Sequence, residues 1–156
     1  MDTLWGELIG ATDTHQLLLI VVRLLVALVI GASIGIQRQL TGHVAGLRTH
    51  MLISLGTTLF VLACLDLGHD ALSRVIQGIA TGVGFLGTGA ILKLEQQREI
   101  FGLTTAAGVW LTAGASVCAA TGHYLTALLA VVLAWCVLAL LVGFEDRLAH
   151  PRHDHT

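Results

Sequence analysis

Of the 156 residues, 55% are hydrophobic and 12% are charged, whereas an ordinary soluble domain carries about 25% charged residues; the mean hydropathy is +0.84. A formal net charge of -2 supplies no basic surface for nucleic acid and no polybasic patch for a membrane surface. Cys64, Cys118 and Cys136 lie singly inside apolar runs without paired metal-ligand spacing, the pattern of buried, inert thiols.

In chain order, residues 1–16 come first. They carry Asp2, Glu7 and Asp13 where a secretory signal would carry basic residues. Leu4, Trp5, Leu8 and Ile9 suit either a segment resting at the outer interface or a disordered end. Beyond them a spanning helix needs about 20 mostly apolar residues, at about 1.5 Å each through a core about 30 Å thick. Five stretches meet that length: 17–36, 51–67, 75–92, 103–121 and 124–144. The links between them, 37–50, 68–74, 93–102 and 122–123, are short and polar. The expectation is an all-α polytopic bundle, residues 17–144, bedded in lipid.

Cytoplasmic loops carry the excess of Lys and Arg. Arg38 and Arg48, then Lys93 and Arg98, then Arg147 and Arg152 fall on one side of the alternating spans. The other side offers Arg74 among Asp2, Glu7, Asp13, Asp66 and Asp70. This predicts an N-terminus outside and a cytoplasmic tail over 145–156.

Helices in lipid associate through close packing of small residues. Ala27, Gly31 and Gly35 make a small stripe on the first span, and Gly78, Gly82, Gly84, Gly87 and Gly89 crowd the third. The fourth adds Ala106, Ala107, Gly108, Ala113, Gly114 and Ala115. Spans one, three and four are therefore expected to form the centre, with the bulkier second and fifth facing lipid. Arg23 lies inside the first span. It is expected to face the bundle and pair with Asp66 or Asp70, or to snorkel to the interface; a transport role is the alternative.

Gly82-Val83-Gly84-Phe85-Leu86-Gly87 formally matches a dinucleotide fingerprint, but no strand precedes it and no βαβ unit surrounds it. The same glycines suit close helix packing, or a broken helix that binds an ion or substrate. More distinctive is one cytoplasmic mouth built from Gln37, Arg38, Arg48, Thr49 and His50 on the first link and Thr104 and Thr105 after the third. Either threonine is placed to cap the fourth helix. The tail from His150 to His155 has histidines but no second cluster to make a metal site. Serines have no histidine and carboxylate in a recognisable arrangement, so no enzyme, cofactor or metal is expected.

Taken together, Arg23…Ala27, Gly31…Gly35-Ile36-Gln37-Arg38 and Ala45-Gly46-Leu47-Arg48-Thr49-His50 resemble the first half of the MgtC/SapB membrane-protein family. Arg74…Gly82-Val83-Gly84-Phe85-Leu86-Gly87-Thr88-Gly89 and Gly102-Leu103-Thr104-Thr105-Ala106-Ala107…Trp110 are similar to its second half. The resemblance implies a bacterial inner-membrane protein of about five spans, tied to virulence and to growth when magnesium is scarce. It also implies modulation of a membrane partner such as the proton-driven ATP synthase. Gln37 stands where the family commonly has Glu, and the chain ends soon after the fifth span, without the soluble C-terminal domain of some members.

Two functional readings follow. One is a non-enzymatic protein acting through helix contacts with a second copy, as a dimer, or with a membrane complex. The other is a transporter or channel for Mg²⁺ or another small ion. Magnesium favours one or two carboxylates plus waters; Asp66, Asp70, Glu95 and Glu99 lie at the faces rather than at mid-membrane depth, which disfavours a carrier.

Overall fold

The computed structural model describes residues 14–94 and 99–149. Each apolar stretch forms one helix: α1 (Thr14–Leu40), α2 (Leu47–Cys64), α3 (His69–Gly89), α4 (Leu103–Ala120) and α5 (Tyr124–Ala149). A 3-10 turn, Leu65–Leu67, extends α2. The expectations for residues 1–13, for Glu95 and Arg98, and for the tail from His150 lie outside the described residues. By length and composition α1, α2 with its 3-10 turn, and α4 are able to cross a membrane, and the apolar part of α5, Tyr124–Ala139, is a shorter helix of the same character. α3 opens on His69, Asp70, Arg74 and Gln77, which lowers its apolar character.

The link after α3 departs from a plain loop. β1 (Leu92–Leu94) and β2 (Glu99–Phe101) pair antiparallel, with Leu92 opposite Phe101. Gly102 then turns the chain into α4 with φ +94, and a Cβ there would collide with the Ala90 carbonyl oxygen. It is the N-cap of α4, and no side chain caps that end. The capping role expected of Thr104 or Thr105 is therefore corrected: left-handed glycine geometry, open to few other residues, starts the helix instead.

α1 and α4 stop in the same way. Each ends in Thr-Gly-His, with Gly42 at φ +74 and Gly122 at φ +88. The His43 amide donates to Arg38 O at 3.1 Å and the His123 amide to Cys118 O at 2.8 Å. Both are helix C-caps of the six-to-one type, which need a left-handed residue. Thr41 and Thr121 reinforce them by donating their hydroxyls to Gln37 O and Val117 O.

The packing differs from the expected centre. α1, α2 and α4 form it, and α1 against α2 is the most extensive contact in the molecule. Ala27, Gly31 and Gly35 do present a small stripe, but they present it to α2. A Cβ on Gly31 would stand 2.6 Å from His50 O and Met51 Cα, and one on Gly35 would stand 2.7 Å from Leu47 Cα. α3 leans on α4, where Gly87 faces Ala106, and touches α2 lightly. Gly78, Gly82, Gly84 and Gly89 meet nothing within 4 Å. Small residues permit close approach without compelling it; the polar face of α2 needs partners and takes the centre. The opposite face of α2, with Leu52 and Phe60, is exposed. α5 closes the bundle through Ala127, Val131 and Leu138 against Ile30, Ile34, Ala115 and Ala119, and its Leu125, Leu128, Leu129 and Leu133 remain outside.

Candidate functional site

A row of polar side chains crosses the interior between α2 and α4. His50 Nδ1 meets Thr112 Oγ1 at 2.8 Å, and one turn further along both helices Ser54 Oγ meets Ser116 Oγ at 2.6 Å. Both pairs are 62 residues apart in the chain, so the two helices run parallel and in step. All four residues are 0% exposed.

Thr112 Oγ1 lies 2.9 Å from Gly108 O as well as 2.8 Å from His50 Nδ1, and its single hydroxyl hydrogen serves one of the two. His50 Nε2 is buried with no hydrogen-bond partner among the described residues. The ring packs beside Gly108, where an added Cβ would make ordinary contact at 3.7 Å from His50 Cε1. Ser54 Oγ also lies 2.6 Å from Ala27 O, and Ser116 Oγ lies 2.7 Å from Thr112 O. Two hydroxyl hydrogens serve three contacts, so one carbonyl contact yields when the hydroxyls bond each other. Ser54 thus ties α1, α2 and α4 at one point.

The next position in the row is Thr58 opposite Ala120. Alanine offers no polar atom, and Thr58 Oγ1 is buried without a partner among the described residues. At the other end stands Arg38, on the last turns of α1 and 2% exposed. Its Nη2 donates to Thr105 Oγ1 at 3.0 Å, two turns before Thr112 on α4. Arg38 Nε has no partner among the described residues. A buried, incompletely satisfied guanidinium costs several kcal/mol even in protein interiors. Gln37 sits beside it, buried, and its Nε2 donates to Leu138 O at 3.4 Å, a long contact that links α1 to α5. Trp135 strengthens that link by donating to Ser33 O and Oγ, each at 3.1 Å.

The structure therefore brings together Arg38, His50 and Thr105 of the anticipated mouth, with Gln37 alongside. Arg48, Thr49 and Thr104 are exposed and stand outside the row. Arg48 and Thr49 line a hollow of about 360 Å³ outside the row, with Val44, Leu86 and Gly89. Arg23 is half-buried and its Nε has no partner among the described residues. Asp66 and Asp70 are both exposed, and the expected pairing with Arg23 is not made. In the loop after α1, His43 Nδ1 lies 2.7 Å from Thr41 Oγ1. Partial burial, and secondarily the charge of Arg38, hold the His43 ring below the usual imidazole range.

Sequence reasoning passed over Ser54, Thr58, Thr112 and Ser116. Their signal was spacing: His50, Ser54 and Thr58 recur every four residues, as do Gly108, Thr112 and Ser116, which puts each set on one helical face.

The fold and the buried row define a helical membrane protein in which interior polar side chains bridge α2 to α4 and α1 to both. The MgtC family pattern matches residues 24–147, and the chain belongs to the MgtC family. Protein SrpB of Synechococcus elongatus is 45% identical over 104 residues, covering 58% of this chain and 57% of that protein. Protein MgtC of Salmonella typhimurium (strain LT2) is 36% identical over 128 residues, covering 82% of this chain and 54% of that protein. YhiD of Escherichia coli (strain K12) is 37% identical over 142 residues, covering 85% and 65%. The chain thus spans between about half and two thirds of these relatives' lengths. No solved structure matches it.

Proposed function

We propose that this is a non-enzymatic protein of the bacterial inner membrane that acts through helix contacts, with a second copy of itself or with a membrane complex. By family likeness the setting is magnesium limitation and virulence, and a partner such as ATP synthase fits that setting. The reading takes five spans over residues 17–144, an outside N-terminus and a cytoplasmic tail over 145–156. Two features support it: the helices number five among the described residues, and Arg38, Arg48 and the β1–β2 link lie at one end while Arg74 lies at the other.

The observation that carries the functional reading is the composition of the buried row. Its members are hydroxyls, one imidazole and one guanidinium, and its bonds fasten α2 to α4 and α1 to both. A path for Mg²⁺ favours carboxylate oxygens, and a buried guanidinium opposes a divalent cation. The name given to YhiD proposes a magnesium transporter, and that is the competing reading. The exposed Arg48, Thr49 and Thr104 are the residues of the mouth free to meet a partner.

Affinity capture of the full chain from native membranes tests this. A second copy or a stoichiometric membrane complex should accompany the protein and be depleted by Arg48→Ala. Capture of the chain alone, as a monomer, would count against the proposal.

A further inference from the structure

A hollow larger than the one beside Arg48 lies on the flank of the described residues, away from the buried row. α3 stands off from α2 there and leaves a groove of about 750 Å³, walled by Ile53, Gly56 and Phe60 on one side and by Gly78 and Gly82 on the other, with Arg74 at its end. Gly56, Gly78 and Gly82 have nothing within 4 Å of an added Cβ, so the space exists because side chains are missing from both walls.

We propose that this groove seats one acyl chain of a phospholipid whose phosphate pairs with Arg74. Three observations favour that occupant. The walls are almost wholly apolar, and they open on the side of a bundle that lies in lipid. From Arg74 to Leu86 the groove follows α3 for twelve residues, about 18 Å at 1.5 Å per residue. That is close to one leaflet, about half of a 30 Å core. Arg74 is exposed at the helix end, and its planar fork of donors suits a phosphate more than it suits water or a second apolar chain. Among the described residues, no carboxylate lines the groove to compete for it. The inference rests on the five-span reading proposed above, in which α3 lies in lipid, and is independent of which partner the cytoplasmic mouth meets.

Native mass spectrometry of the full chain, released from nanodiscs of phosphatidylglycerol and phosphatidylethanolamine, reads the outcome directly. The unmodified protein should retain one phospholipid per protomer. Arg74→Gln, a surface change, should lose most of it, as should Gly82→Leu, which fills the groove; Arg48→Gln should keep it. The proposal is overturned if Arg74→Gln and Gly82→Leu retain lipid as well as the unmodified chain. Equal loss with Arg48→Gln would overturn it too, by showing general charge attraction. So would unchanged lipid retention with Gly82→Leu converting a dimer to a monomer, since a second copy would then fill the groove.

Discussion

Ser54 and Ser116 meet at 2.6 Å across α2 and α4, at the same 62-residue separation that brings His50 to Thr112. That repeat makes the row a ladder with a predictable next rung. Ala120→Ser places a hydroxyl opposite Thr58, whose Oγ1 has no partner among the described residues. Interhelical hydrogen bonds in membrane proteins contribute about 0.6 kcal/mol on average, so thermal unfolding in detergent should rise by that order. A fall in unfolding temperature would show that the rungs do not continue.

The existing rung can be measured by a double-mutant cycle on His50→Ala and Thr112→Val. If the 2.8 Å contact is formed in the membrane, the two losses should be non-additive by about 0.5–2 kcal/mol. Strict additivity in reversible unfolding would mean the two side chains do not interact.

Glycine position should matter more than glycine number. Gly31→Ala drives a Cβ to 2.6 Å from the backbone of α2, and overpacking of this kind costs about 1–3 kcal/mol. Gly84→Ala meets nothing within 4 Å and should be neutral or slightly stabilising, because glycine within a helix costs about 0.5–1 kcal/mol relative to alanine. Equal stability of the two variants would contradict the α1–α2 contact.

That contrast also shows what the residues made legible. The stripe of Ala27, Gly31 and Gly35 was readable because its spacing of four puts it on one face. Its partner was not, since a small stripe fits any helix that comes close. The glycines of α3 were more numerous than those of α1, yet four of them face open space. What decided the centre was the polar face of α2: His50, Ser54 and Thr58 cannot face lipid cheaply and need acceptors or donors inside. Arg38 and Thr105 were both visible as mouth residues. Their contact was hidden, because it depends on Gly102 starting α4 and leaving Thr105 free to accept from Arg38.

His43 should titrate below 6.5. Partial burial and then the Arg38 charge disfavour its protonated ring, against two opposing backbone hydrogen bonds. Because the folded ring binds protons less readily than the unfolded one, its contribution to stability is complete above about pH 6.5 and is lost as pH falls below that value. NMR of ring-labelled protein should show the depressed midpoint moving toward 6.5 in Arg38→Gln. A midpoint at or above 6.5 in the unmodified chain would contradict this placement of the loop.

The central claim is that the buried row fastens helices together and does not carry an ion. Purified full-length chain in liposomes with an entrapped Mg²⁺ indicator tests it most directly, with Arg38→Gln in parallel. The account predicts Mg²⁺ entry at the rate of empty liposomes for both proteins. Entry well above that rate in the unmodified chain, altered by Arg38→Gln, would contradict it.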